Sequence, residues 1–261
     1  MKQTLITPDL SLYPDRFHAI MEDAVVYDSS CSPEARVIFI DKDGGYYLKT
    51  APKGTLEKEA VLDRYFHGKG LGADVLEYFS DERDWLLTAR VEGEDCTHAR
   101  YLEDPVRLCD LLAERLRALH ELDASDCPVQ NRMESYLALA EKNYREGNYD
   151  TSLFPDNWGY ASAEEAWDVL EKNAHLFQND TLLHGDYCLP NVMLRDWKFS
   201  GFIDLGNGGV GDRHVDLFWG AWTLTFNLKT DAYRERFFDA YGRDRVDTGM
   251  LRVVAAAEVF G

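Results

Sequence analysis

His184-Gly-Asp-Tyr-Cys-Leu-Pro-Asn191 is followed by Phe202-Ile-Asp-Leu-Gly206, and the reading of this stretch decides the fold. Asp186 and Asn191 are separated by four residues, and Asp204 follows Asp186 by eighteen. From Thr181 to Gly206 short apolar runs alternate with turn residues, as strands and loops do. The sequence on either side has helical periodicity, so this stretch reads as a β-insert within a helical region.

Working outward, the residues before about 92 are strand-rich. Val37-Ile-Phe-Ile40 and Gly45-Tyr-Tyr-Leu-Lys49 are short β-branched or aromatic runs, joined through Asp41-Lys-Asp-Gly-Gly45, a hairpin-turn sequence. Leu56 to Phe66 carries a helical apolar stripe, and Asp84 to Arg90 reads as a buried strand. After Gly93 helices dominate. Asp104-Pro105 supplies an N-cap and a first-turn proline to an amphipathic run ending at His120. Further helices are predicted near 132–146, 163–175, 213–226, 230–241 and 248–259. The predicted class is therefore α+β with two lobes, a small β lobe over residues 1–90 and a larger, mostly helical lobe over 91–261. Ligand sites often lie at such a junction.

Composition narrows the partners. The chain has 261 residues and is 45% hydrophobic, enough to bury a core. It carries 28 basic against 47 acidic side chains, a net charge of −19. Nucleic acid is disfavoured, because phosphate contacts need clustered Lys and Arg; a polycationic small molecule suits the sign of the charge. The acidity also serves solubility alone. Five cysteines without a C-x-x-C pair suggest neither a disulfide framework nor a zinc site, and read as reduced thiols. The N-terminus lacks a signal-peptide core and no apolar run is long enough to span a membrane. The expectation is a cytoplasmic monomer or dimer.

The central stretch has the parts that phosphoryl transfer needs. A carboxylate must orient the acceptor hydroxyl and take its proton, and oxygen ligands must hold Mg²⁺ against the phosphates. H-x-D-x-x-x-x-N followed by an apolar strand ending in D-x-G presents these in the order used by protein kinases. Asp186 is read as the catalytic base, Asn191 and Asp204 as Mg²⁺ ligands, and Gly206 as the turn beyond them. Asp216 is read as a brace for the catalytic loop, His120 as a packing or capping histidine, Trp219 and Trp222 as core, and Cys188 as a neighbour of the site.

His184 to Asn191 and Ser200 to Gly206, with Leu119-His120, Ser125-Asp-Cys-Pro128, Asp156-Asn-Trp158 and Glu258-Val-Phe260, resemble the signatures of the aminoglycoside 3′-phosphotransferases, the kanamycin-kinase family. The resemblance implies a protein-kinase-like fold: a five-stranded antiparallel β lobe with one helix, a hinge and a helical lobe. It implies ATP or GTP as phosphate donor, Mg²⁺, and an aminoglycoside acceptor phosphorylated at its 3′-hydroxyl, conferring resistance. Lys49 would contact the α- and β-phosphates and Glu59 would orient it, with Glu57 as the competing partner. Tyr47 would stack on the base, Ser32 resembles a phosphate-loop serine, and the backbone of Ala89 and Val91 would meet adenine. Asp156, Glu258 and Phe260 would bind the acceptor.

The chain also departs from the family pattern. Ala257 stands where a carboxylate is usual, Gly261 extends the terminus by one residue, Asn207 replaces an arginine and Gly159 a carboxylate found in some relatives. Each missing carboxylate weakens binding of a polyamine by roughly 1–3 kcal/mol. Two alternatives therefore stand beside the aminoglycoside reading. One is a kinase for another small alcohol, such as a different antibiotic, an amino sugar or choline. The other is a catalytically silent nucleotide-binding relative.

Overall fold

The structure, a computed structural model, describes residues 3–31, 35–149 and 159–261. Along the chain run β1 (Thr4–Ile6), α1 (His18–Met21), β2 (Val25–Asp28), β3 (Arg36–Asp41), β4 (Tyr46–Pro52), α2 (Glu57–Gly68), β5 (Val75–Ser80), β6 (Arg83–Ala89) and β7 (Glu94–Asp95). Then come α3 (Ala99–Leu102), α4 (Pro105–His120), α5 (Arg132–Glu146), α6 (Ala163–Asn173), β8 (Thr181–Leu183), β9 (Val192–Arg195), β10 (Lys198–Phe202), β11 (Gly209–Gly211), α7 (His214–Leu228), α8 (Arg234–Tyr241) and α9 (Thr248–Glu258).

Two compact units result: Met1–Thr97 with Pro190–Gly206, and His98–Leu189 with Asn207–Gly261. The sequence places the division at residue 90 and leaves the β-insert in the helical half, whereas the chain divides later and the insert is shared. The reason is pairing. Strand β9 pairs with β7, and the Cys96 N–H donates to the Val192 carbonyl at 3.1 Å. The Phe202 N–H likewise donates to the Leu71 carbonyl at 2.7 Å. These bonds tie the β9–β10 hairpin to the first unit.

The first unit is built on an antiparallel sheet in the order β1-β2-β3-β4-β6-β5. It has six strands rather than five, because Thr4–Ile6 adds an edge strand beside β2. Alternation along β4 decides what each residue faces. Leu48 joins Val26, Ile38, Ile40, Trp85 and Leu87 in one core, which α1 and Phe17 cover. Ala51, two residues beyond Lys49, packs with Leu86, Leu56 and Ala60 beneath α2. Lys49 lies directly opposite Leu86 and so shares the face that α2 covers.

In the second unit the sequence periodicity translates directly into packing. Asp104 caps α4, its Oδ1 accepting the Arg107 N–H at 3.2 Å, and Pro105 opens the first turn. Leu108, Leu112, Leu116 and Leu119 recur at helical spacing and are buried. Helix α7 buries Val215, Leu217, Phe218, Ala221 and Leu224, whereas Trp219 and Trp222 are only part-buried, contrary to their reading as core. Strands β8 and β11 pair antiparallel, Leu183 opposite Gly209, and fix where the loop after β8 begins. No helix among the described residues is long and apolar enough to cross a membrane.

Candidate functional site

The first unit assembles a cation between carboxylates. The Lys49 Nζ donates to both oxygens of Glu59, at 2.9 and 2.8 Å, and to Asp204 Oδ1 at 2.9 Å. Three separate elements supply these groups: β4, α2 and the end of the β9–β10 hairpin. Glu59 follows from the packing of α2, since its neighbour Ala60 sits on the β4 face that Lys49 shares. Glu57 is exposed at the helix start, so the choice between the two carboxylates falls on Glu59. Burial acts to lower the Lys49 pKa, but Glu59 and Asp204 together outweigh it and hold the pKa above the ordinary lysine value. Burial pushes Glu59 upward despite the lysine beside it.

Asp204 and Asn191 are brought side by side by hairpin register. Val192 pairs with Phe202, and one step beyond, the Ile203 N–H donates to the Asn191 carbonyl at 3.1 Å. The two candidate metal ligands therefore leave the hairpin from adjacent ends. Asp204 has a φ of 61°, a left-handed conformation uncommon for a residue with a side chain and concentrated at functional positions. An amide oxygen and a carboxylate are hard donors that suit Mg²⁺, which keeps waters and takes phosphate oxygens for its remaining positions. Among the described residues no group of three or more His, Cys, Asp and Glu side chains could hold a metal ion alone.

The remaining nucleotide candidates occupy the same unit. Tyr47 lies opposite Phe39 and Thr88, with the Phe39 and Tyr47 ring centroids 5.0 Å apart. The Ala89 N–H already donates to the Asp74 carbonyl at 2.9 Å, and Val91 is buried. Ser32 and Asp156 lie outside the described residues.

In the second unit the loop after β8 is fixed by a buried carboxylate. Asp216, fully buried on α7, accepts the N–H of His184 and of Gly185, each at 2.8 Å. It also contacts His120 Nε2 at 3.1 Å, while His120 Nδ1 lies 2.9 Å from the Tyr241 hydroxyl. A carboxylate only accepts, so Nε2 carries the proton and Nδ1 accepts from Tyr241. Burial lowers the His120 pKa against the pull of Asp216, so the ring is a neutral connector. Asp216 thus braces the loop as its sequence position suggested, and His120 is the next member of the same chain of hydrogen bonds, a link its helix-end position did not disclose.

Gly185 has a φ of 86°, and a Cβ there would lie 1.9 Å from the Asn207 carbonyl oxygen. Only glycine fits this turn, and it holds the backbone leading to Asp186, which is part-exposed. Downstream, Leu189 N–H donates to Thr223 Oγ1 at 3.1 Å and the Tyr187 hydroxyl to the Leu112 carbonyl at 2.8 Å. Burial and the neighbouring Asp186 carboxylate push the Cys188 thiol up, which disfavours the thiolate.

The second unit also holds the candidate acceptor residues. Glu258 Oε1 accepts from the Tyr136 hydroxyl at 2.7 Å and from Trp219 Nε1 at 3.1 Å. Burial pushes Glu258 up to about 7, although these donors and Arg132 act to lower it. The Phe260 ring is buried among Tyr144, Tyr149 and Trp167, and its carbonyl accepts from Asn143 Nδ2 at 2.8 Å. Arg132 Nε donates to the carbonyl of Asn207 at 2.7 Å. Two residues near these sites are not singled out by the sequence reading. Asp63 is buried one turn beyond Glu59, and Tyr136 is an ordinary aromatic on an amphipathic helix. Helical spacing from Glu59 could have found Asp63; nothing local could have found Tyr136.

Comparison with known proteins bears on this geometry. The model of the phosphotransferase enzyme family matches residues 31–253. A Lactococcus lactis subsp. lactis (strain IL1403) protein named "Probable aminoglycoside 3'-phosphotransferase" is 53% identical over 254 residues, covering 97% of each chain. The aminoglycoside 3'-phosphotransferase of Niallia circulans is 30% identical over 219 residues, covering 82% of this chain and 83% of that one. Among solved structures, an aminoglycoside-3'-phosphotransferase of type VIII shares the fold, with a TM-score of 0.79 at 24% identity and 96% of each chain covered. The Streptomyces rimosus aminoglycoside phosphotransferase APH(3'')-Id, in complex with ADP and streptomycin, superposes with a TM-score of 0.72 at 23% identity, covering 97% of this chain and 99% of that one. The protein-kinase-like design read from the central stretch is thus the fold of these enzymes, and the chain belongs to the phosphotransferase enzyme family, in the group of the aminoglycoside 3′-phosphotransferases.

Proposed function

We propose that this enzyme transfers the γ-phosphate of ATP or GTP to a hydroxyl of an aminoglycoside, the 3′-hydroxyl, and so confers resistance. The observation that carries the reading is the Lys49 ammonium held by Glu59 and Asp204 at 2.8–2.9 Å. A part-buried cation held by two carboxylates is suited to phosphate oxygens, and Asp204 with Asn191 is suited to Mg²⁺. When bound, the metal neutralises charge on the phosphates and helps hold them in line.

The chain's own residues perform the rest. Lys49 binds phosphate oxygens, and Glu59 keeps its ammonium in place. Asp186 accepts the acceptor's hydroxyl proton as the new bond from the acceptor oxygen to phosphorus forms and the bond from phosphorus to the leaving oxygen of the nucleoside diphosphate breaks. Asp216 holds the loop that carries Asp186 by its two backbone hydrogen bonds. Glu258 receives an ammonium group of the acceptor. The two relatives named aminoglycoside 3'-phosphotransferases support the acceptor class, and the neighbour holding ADP and streptomycin supports a nucleotide and a polycationic sugar.

The test is ADP release with Mg²⁺ and ATP or GTP across a panel of kanamycin, neamine, amino sugars and choline. Turnover that depends on kanamycin or neamine is the expected result. Turnover with choline or an amino sugar alone would replace the acceptor, and turnover with none would favour a silent nucleotide-binding relative.

A further inference from the structure

Three helices of the second unit converge on a single carboxylate oxygen. The Tyr136 hydroxyl from α5 and the Trp219 indole N–H from α7 both donate to Oε1 of Glu258, near the end of α9, at 2.7 and 3.1 Å. No hydrogen bond reaches Oε2 among the described residues. Gly261 packs beside Oε2: a Cβ there would lie 2.9 Å from it, so a larger side chain would have to shift against that oxygen. We propose that Tyr136 and Trp219 are positioning residues for acceptor recognition, locking one oxygen of Glu258 so that the other is presented to an ammonium group of a polycationic acceptor.

The physical argument is preorganisation. A glutamate has three side-chain torsions, and ordering it at the moment of binding costs affinity. Two neutral donors on one oxygen restrict those torsions beforehand without adding a positive charge beside the carboxylate, as an arginine or lysine in the same place would. Arg132 stands on the same helix as Tyr136, but its Nε donates to the Asn207 carbonyl. The arrangement suits a chain in which Ala257 provides no second carboxylate beside Glu258. With one anion available, its orientation decides how much of an ammonium contact is realised. Tyr144, Trp167 and Phe260 hold the end of the chain in an aromatic cluster, and the Asn143 amide holds the Phe260 carbonyl, so the backbone carrying Glu258 and Gly261 is itself fixed.

The proposal rests on Glu258 being an acceptor-binding residue, and its test separates the two claims. Tyr136→Phe, Trp219→Phe, Glu258→Gln and the double variant Tyr136→Phe/Glu258→Gln are compared with wild type by steady-state kinetics, with kanamycin or neamine varied at saturating MgATP. Melting curves confirm that each variant is folded. Tyr136→Phe and Trp219→Phe should each raise the acceptor KM about three- to tenfold, the scale of one lost hydrogen bond, with the effect concentrated in KM rather than kcat. In the double variant, Tyr136→Phe should add almost nothing to Glu258→Gln, because it acts through that carboxylate. If Glu258→Gln raises KM while Tyr136→Phe and Trp219→Phe do not, the positioning claim fails and the reading of Glu258 stands. Full additivity in the double variant also overturns it, as Tyr136 would then act independently. An unchanged KM in Glu258→Gln removes the reading beneath the proposal.

Discussion

Lys49 Nζ lies 2.9 Å from Asp204 Oδ1, although the two are 155 positions apart in sequence. The contact joins the central strand of the first unit to the end of the hairpin that carries the candidate metal ligands. Asp204 keeps a left-handed backbone at this point, with a φ of 61°. Such a conformation costs on the order of 1–3 kcal/mol and persists only where the surroundings impose it. The lysine does part of that work in the free protein, and its ammonium remains charged because two carboxylates outweigh its burial.

Lys49→Ala should therefore act on stability as well as on turnover. It leaves Glu59 in a buried position without its cation, and breaking a buried pair on one side costs about 3–5 kcal/mol. The melting temperature should fall, the nucleotide KM should rise, and kcat should drop. Glu59→Gln should act in the same direction but more mildly, because the lysine keeps Asp204. Glu57→Gln should be close to wild type in all three measurements, since Glu57 is exposed and does not reach Lys49. A larger effect from Glu57→Gln than from Glu59→Gln would overturn the pairing.

Asp63 offers a stability readout in the same place. Burial, then the neighbouring Glu59, hold its carboxyl well above the ordinary aspartate range. Its folded pKa thus exceeds its unfolded value, so the native state binds the proton more tightly. The stability this contributes is complete below the unfolded pKa and is lost as pH rises through the folded one. Asn does not titrate, so Asp63→Asn should gain on wild type as pH increases. A gain of about 1 kcal/mol would appear as a melting temperature about 2–4 °C higher in a chain of this size. The difference should shrink toward pH 4. A variant less stable than wild type at pH 8 would mean that the Asp63 carboxylate is stabilising.

Much of this was legible in the sequence, for reasons particular residues make clear. Asp104-Pro105 and the leucines of α4 announce that helix, because capping chemistry and a 3.6-residue period are local properties. Alternation likewise places Leu48 and Lys49 on opposite faces of β4. The order of Asp186, Asn191 and Asp204 was legible because the hairpin between the last two is local as well. What local pattern could not supply was long-range register. Strand β7 is two residues long and means nothing until β9 lies beside it, which is why the division between units was placed too early. Thr4–Ile6 is an edge strand, exposed or part-exposed along its length, and carries little apolar signal. Trp219 reads as core and Tyr136 carries no signal of its own, because their partner Glu258 is 39 and 122 residues away.

If Glu258 binds the acceptor as proposed, it should give acceptor binding a pH signature. Burial raises its pKa to about 7, so its carboxyl is divided between neutral and ionised forms near neutral pH. An ammonium prefers the ionised form. Acceptor KM should therefore fall as pH rises through about 7 and level off above it, until the acceptor's own amines begin to lose their protons. Glu258→Gln should flatten the part of the profile near 7 and leave the limb set by the acceptor. An unaltered profile in Glu258→Gln would assign that titration to another group.

In the proposed function Asp186 carries the chemistry, and its replacement gives the sharpest test. A sugar hydroxyl is a poor nucleophile; a positioned carboxylate aligns it and receives its proton in a loose transition state. General-base assistance is typically worth about 10²–10⁴-fold, and alignment in line with the leaving oxygen adds to it. The loop bearing Asp186 is held through backbone groups, with His184 and Gly185 donating to Asp216 at 2.8 Å. Asp186→Asn should leave that brace intact, so the loop stays in place and the charge and basicity are lost. Nucleotide Kd should stay near the wild-type value while turnover falls by at least about 10²-fold, the lower end of that range. Asp204→Asn should differ in kind. It weakens the hold on Lys49 and on a metal-bound nucleotide, so nucleotide Kd should rise along with the loss of kcat. Measuring both constants for both variants, with one acceptor that supports turnover, separates the roles. Turnover of Asp186→Asn close to wild type would remove Asp186 from the reaction, and with it the phosphoryl-transfer mechanism assigned to this chain.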